Sequence, residues 1–254
     1  MQTYGFSELY EYFLVLARIS GALSLIPALG ESFISPRFRA MTALALTVVI
    51  TPLASQFLPS EPAGVFELLE IVLRELFVGL LIGAIGRFMI AAIDMAGGIL
   101  SFQMSLSSAV VFNPAMGGQG SILSAFLTLS ALLIIFALDL HHLMIKGIIG
   151  SYQLIGKSTP IIMQDISEFV VQTISRMFLV GVQIASPILI VGILAQVMSG
   201  FLNRLMPQLQ IYFITMPVYI TAGFIVLLAS VGVMLEVFAD AFADQYKTLF
   251  LGGP

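Results

Sequence analysis

Residues able to do chemistry are few in this chain. The tightest group is Asp139, His141 and His142. A carboxylate and two imidazoles are ordinary ligands of a divalent metal. Asp139 and His142, three apart, share a helix face, but adjacent histidines on a helix point apart. Two ligands are too few for a metal centre. The pattern therefore reads as a polar helix end at a membrane surface, continued by the amphipathic stretch 143–155, and no metal is expected. A second set is the charges lodged in apolar runs. Each costs about 2.5–3.5 kcal/mol at a helix centre on insertion scales, so each wants a partner. Glu70 and Arg74 stand four apart in the favourable order. Arg87 and Asp94 lie two turns apart on roughly one face. Arg18 has no obvious partner within the chain. Such charges read either as a proton or ion path or as pairing between helices or subunits. A relay wants an acid in the middle of a span, and the apolar runs below contain none, which favours pairing. Walker, GxSxG, HExxH and CxxC patterns are absent, as is a spaced carboxylate pair. Cysteine is absent too, which removes thiolate catalysis and disulfides. Neither an enzyme nor a cofactor is expected.

The elements that carry these residues are hydrophobic helices. Of 254 residues, 59% are hydrophobic and only 9% charged, with a mean hydropathy of +1.07. A soluble domain carries about 25% charged residues, so lipid or other apolar protein must cover this surface. A net charge of −4 with no basic cluster argues against nucleic acid. The acidic start of the chain, with Glu8 and Glu11, does not resemble a signal peptide. Runs of about 20 apolar residues span a bilayer core as helices. Six candidates appear: 13–28, 40–57, 76–93, 121–138, 177–201 and 211–235. Pro187 interrupts the fifth and Pro217 stands near the start of the sixth; both predict kinks. Gly79 and Gly83, and Gly181 and Ala185, have the spacing that lets helices approach closely. The expected fold is an all-α integral membrane protein of about six helices arranged as kinked hairpins. Arg37 and Arg39 after the first run place the N-terminus outside by the positive-inside rule, yet Lys146 and Lys157 then fall on the wrong side. The conflict implies that some helices do not cross lipid in the ordinary way.

One segment does not fit a plain bundle. Residues 95–120 carry Gly97, Gly98, Asn113, Pro114, Gly117, Gly118 and Gly120, which break a helix. After Asp94 the chain has no charge until Asp139. A loop in water usually carries charge, and a loop in lipid cannot leave its backbone unpaired. The segment reads either as a packed connection between two helices or as the lining of a narrow passage, with Val110, Val111 and Phe112 at its tip.

Four stretches resemble a known family. These are Leu16 to Gly21 with Pro27 and Pro36 to Arg39, Glu75 to Leu80 with Gly83, Ser101 to Ser107 with Asn113 and Pro114, and Asn203 to Phe213 with Met216 and Pro217. Together they resemble the FliR family of flagellar and type III secretion export-gate proteins, of the FliR, SpaR and YscT type. Asn113 stands where the family often has Asp, and Gln210 where it often has Asn. The resemblance implies a structural subunit of an export gate in the bacterial inner membrane at the flagellar basal body, passing unfolded proteins. It implies FliP, FliQ, FlhB and FlhA as partners, besides lipid. Residues 1–157 would be similar to FliP and residues 165–254 to a FliQ hairpin. It further implies a pore plug formed by Ser107, Val110, Val111, Phe112, Asn113, Pro114 and Met116. Arg18, Arg74, Glu75 and Arg87 would pair between subunits. Arg204, Pro207, Gln208, Gln210 and Pro217 would form a C-terminal turn. A small-solute secondary transporter is the rival reading, resting on the two Pro-broken helices and the Gly-rich discontinuity. It lacks an inverted repeat and a midplane acid.

Overall fold

A computed structural model describes residues 3–31, 34–62, 64–106, 121–156, 163–206 and 211–250. Among these the chain forms seven α-helices and one short 3-10 turn, with no strand. They are α1 (Thr3–Leu25), α2 (Pro36–Ala54), α3 (Val65–Gln103), α4 (Ile122–Ala137), α5 (Leu140–Leu154), α6 (Met163–Leu205) and α7 (Ile211–Phe250). The chain is an all-α membrane protein, as its composition requires. The six apolar runs fall in α1, α2, α3, α4, α6 and α7, and the amphipathic stretch is α5.

Two expectations about the spans need correction. Among the described residues, four helical segments are long and apolar enough to cross a bilayer: 36–57, 65–103, 164–205 and 215–249. The broken pair α4 and α5 makes a fifth if it counts as one span. The first expected run, in α1, is not among them. Every stretch of α1 long enough to span contains Glu8, Glu11 and Arg18. The second correction is length. Helices α3, α6 and α7 contain 39, 43 and 40 residues, against about 20 for a bilayer core. Polar turns such as Glu67 to Glu75 continue the helices instead of ending them.

Local chemistry sets the helix ends. Ser35 caps α2, its Oγ accepting from the Phe38 N–H at 3.3 Å, and Pro36 occupies the first turn, where a missing N–H is harmless. Pro187 lies inside α6 and leaves the Gln183 carbonyl without its helical donor. The Ser186 hydroxyl donates to that carbonyl at 2.7 Å, satisfying it where water is scarce.

The chain folds as two compact units, each drawn from separate stretches. One comprises Met1–Met89, Ile135–Ile174 and Phe242–Pro254; the other comprises Ile90–Ile134 and Ser175–Ala241. In the first, Leu14, Ile19, Ile82, Ile85, Ile148 and Phe242 are buried. In the second, Ile93, Leu100, Leu127, Ile184, Ile188 and Phe238 are buried. The interleaving follows from helices longer than one core. In the first unit α1 and α3 meet along glycines. A Cβ on Gly21 would lie 2.6 Å from the Leu76 carbonyl oxygen, and one on Gly79 would fall on the Arg18 carbonyl. One on Gly83 would meet the Ala22 carbonyl. The expected close approach at Gly79 and Gly83 is thus an α1–α3 contact of backbone on backbone. Elsewhere large apolar side chains face outward, among them Met41, Val48 and Val49 on α2 and Leu228 and Val233 on α7.

Gly79→Ala is expected to destabilise the chain by about 1–3 kcal/mol, because the added methyl meets backbone. Gly200→Ala, in open space on α6, is expected to leave stability unchanged or raise it by up to about 1 kcal/mol through helix propensity. Thermal unfolding of the purified chain in detergent, with size-exclusion monodispersity as the second readout, checks both.

Candidate functional site: a buried ion pair and the anchors of the central loop

Arg18 is the least accommodating residue in the first unit. It lies in the middle of α1 and is only 1% exposed. The fold supplies the partner that spacing did not reveal. Glu75 on α3 receives Arg18 Nε on Oε2 at 2.6 Å and Nη2 on Oε1 at 2.9 Å, a bidentate pair. Nη1 donates to Ser151 Oγ on α5 at 3.0 Å, and Nη2 also reaches the Ile155 carbonyl at 3.2 Å. The guanidinium carbon lies 3.8 Å from the centroid of the Tyr152 ring, a cation–π contact. One guanidinium therefore ties α1, α3 and α5. Arg74 Nη2 adds a bond from α3 to the Gly156 carbonyl just beyond α5, at 3.0 Å.

Arg18, Glu75 and Arg87, expected to pair between subunits, thus have partners inside the chain. Arg87 pairs with Glu31, at 53% exposure of its side chain, a contact of the exposed kind that contributes little. No local rule could have shown the pairing of Arg18 with Glu75, 57 residues apart. Its one legible signal was the glycines at 21 and 79, each within four residues of a partner.

The second unit holds both ends of the central loop. The proposed plug residues Ser107, Val110, Val111, Phe112, Asn113, Pro114 and Met116 lie outside the described residues. Their flanks do not. Helix α3 ends in a Schellman motif: the Leu106 N–H bonds the Ser101 carbonyl at 2.9 Å and the Ser105 N–H bonds the Phe102 carbonyl at 3.1 Å. Ser105 takes the left-handed conformation the motif demands, φ 57°, without being glycine. Met104 is buried, packed where Gly223 of α7 has no side chain. At the other flank Ser121 caps α4, its Oγ accepting from the Ser124 N–H at 2.9 Å. The same hydroxyl touches the Gly97 carbonyl at 3.3 Å, and Ser124 Oγ donates to the Asp94 carbonyl at 2.8 Å. Both flanks therefore stand on α3, one at Gly97 and one at Met104, about 10 Å apart along the helix. Gly97 is required here, since a Cβ would land on the backbone of Ser124. The sequence showed the glycines as breakers; in fact Gly97 and Gly98 sit inside α3 and admit α4.

Of the C-terminal turn, Arg204 is exposed at the end of α6 and Pro217 exposed inside α7. Pro207, Gln208 and Gln210 lie outside the described residues. Across the turn, Tyr219 OH of α7 donates to the Ala195 carbonyl of α6 at 3.1 Å and contacts Ser199 Oγ at 2.5 Å. These bonds fasten α7 to α6.

Glu75→Gln, which leaves the buried guanidinium unpaired, is expected to cost about 3–5 kcal/mol, while the double change Arg18→Met with Glu75→Leu is expected to be near neutral. Detergent-phase unfolding of both variants beside the parent checks the contrast. Ser105→Gly is expected to stabilise by a few tenths to about 1 kcal/mol by relieving the left-handed strain, and Ser105→Val to destabilise; the same assay reads both signs.

Comparison with known proteins places these features. A family profile described as "Bacterial export proteins, family 1" matches residues 9–245. The flagellar biosynthetic protein FliR of Caulobacter vibrioides is 30% identical over 242 residues, covering 95% of this chain and 95% of the relative. The FliR protein of Bacillus subtilis is 29% identical, covering 94% of this chain and 92% of its own length. That of Escherichia coli is 25% identical, over 94% and 90% respectively. A helical membrane chain matched along nearly its whole length in this way belongs to the bacterial export proteins, family 1, the FliR family.

Proposed function

We propose that this chain is a structural subunit of the flagellar type III protein export gate and forms part of the channel through which unfolded flagellar proteins leave. The observation that carries the reading is the chargeless loop whose two flanks are fixed on one helix, α3, in a chain of the FliR family. Fixed ends let a loop of 14 residues, 107–120, stand across a narrow bore, because its closure entropy is already met by the anchors. Apolar side chains at its tip, Val110, Val111 and Phe112, close the bore to ions by excluding water. Entering polypeptide displaces this local contact, and no bond chemistry is involved. The site is mechanical, not catalytic.

The outward-facing apolar surfaces of α2, α6 and α7 suit burial against sister subunits as well as lipid. FliP and FliQ are the partners in the gate, FlhB and FlhA the neighbours on its cytoplasmic side. The part up to about Lys157 acts as a FliP-like element and the part from about Asp165 as a FliQ-like hairpin. The gate lies in the bacterial inner membrane at the flagellar basal body. Arg204 and the turn residues Pro207, Gln208, Gln210 and Pro217 contact those subunits, and Arg74 and Arg87 do so beside their bonds within the chain.

Native mass spectrometry of the complex extracted in mild detergent is expected to return this chain bound to two other small hydrophobic proteins in fixed stoichiometry; a lone chain or a homo-oligomer that moves a small solute sinks the reading. Replacing Val110, Val111 and Phe112 together with glycine is expected to make membranes leaky to ions, measured as conductance of the assembled gate, with unchanged conductance removing the plug role from these residues.

A further inference from the structure

The break between α4 and α5 gathers three groups that the gate mechanism does not use. Asp139 stands at the break in the left-handed region, φ 57° and ψ 22°, immediately before α5, yet its carboxylate caps none of the backbone N–H groups of that helix. Its Oδ1 lies instead 3.6 Å from His142 Nδ1. On a regular helix adjacent histidines diverge, which argued against a metal at the sequence level. Here they do not: the rings of His141 and His142 lie with centroids 4.2 Å apart and planes tilted by 34°. Phe136 packs against His141 at 5.2 Å between centroids and holds its ring on that side. One ring nitrogen from each histidine and one carboxylate oxygen lie within 4.8 Å of one another. His141 Nδ1 is buried without a hydrogen-bond partner.

We propose that Asp139, His141 and His142 form a divalent transition-metal site of two imidazoles and one carboxylate, with water completing the coordination. Ligands about 2.1 Å from a tetrahedral zinc ion stand about 3.4 Å from one another. The Asp139–His142 separation of 3.6 Å is close to that figure, and the His141 ligand atom lies within 4.8 Å of both. Asp139 and His142 are well exposed, at 74% and 60%, so they can move toward the held ring of His141, and the ion has an open path. Nitrogen and oxygen donors without thiolate select borderline ions such as Zn2+, Co2+ and Ni2+ over Cu(I). Lys146 and Lys247 line the same open cavity as Asp139 and His142. Their charge opposes that of the ion, so binding is weaker than at a structural zinc site with thiolate ligands.

The test uses the full chain purified in detergent through a tag free of histidine and stripped of metal. Titration with Zn2+ by calorimetry, and with Co2+ by its visible d–d absorption, is expected to show one saturable site. His141→Ala and His142→Ala are each expected to weaken binding at least tenfold, and Asp139→Asn, which keeps a side chain tolerant of the left-handed backbone, to weaken it as well. Unfolding midpoints measured without metal confirm that each variant is folded, with His142→Gln as the replacement if the alanine variant is not. Binding by the parent no tighter than by the double histidine variant overturns the proposal, and so does a loss confined to one histidine.

Discussion

A single desolvated charge governs how the first unit must fold. Arg18 is carried into the interior by a helix whose neighbours Leu14, Val15, Ile19 and Ala22 are all buried. An unpaired guanidinium there would cost several kcal/mol. That cost selects one arrangement of three helices: α3 must present Glu75, and α5 must present Ser151 and the face of Tyr152. The bidentate geometry fixes register as well as proximity, since shifting α3 by one turn would leave both charges without partners. The pair gives specificity more than net stability, because its Coulomb attraction mostly offsets desolvation.

The glycines make that geometry reachable. An arginine and a glutamate can meet in the middle of two packed helices only if the backbones lie close, and Gly21, Gly79 and Gly83 remove the side chains that would hold them apart. The second unit uses the same device to another end. Gly97 admits the capped start of α4, and Gly223 admits Met104 at the end of α3. Small residues therefore set both the ion pair and the anchors on either side of the chargeless segment.

The composition made the fold class plain, because so few charges cannot cover a globule in water. The six apolar runs located six helices for the same reason, and the Gly79–Gly83 spacing marked a real contact. Helix ends were less legible. Polar turns such as Glu67 to Glu75 look like loop when only hydropathy is weighed, yet they continue α3, and Gly97 and Gly98 look like breakers yet sit inside it. Pairings across tens of residues left no local trace, so Arg18 appeared unpartnered and the Arg87–Glu31 pair was not foreseen. At the α4–α5 break, regular helical geometry foretold diverging histidines, yet the two rings lie against each other, with Phe136 packed on His141. Family likeness, read from four short stretches, reached further than any of these physical rules, because it draws on the whole assembly and not on one chain.

The lengths of α3, α6 and α7 carry a consequence for what covers them. Some 40 residues of helix rise about 60 Å, twice the hydrocarbon thickness of about 30 Å. Where the apolar part of such a helix exceeds that thickness, a copy surrounded by lipid must tilt, bend or locally thicken the bilayer, each at an energetic cost. Apolar protein packed alongside would hide the same surface without deforming lipid, so the helix lengths favour cover by protein over cover by lipid alone.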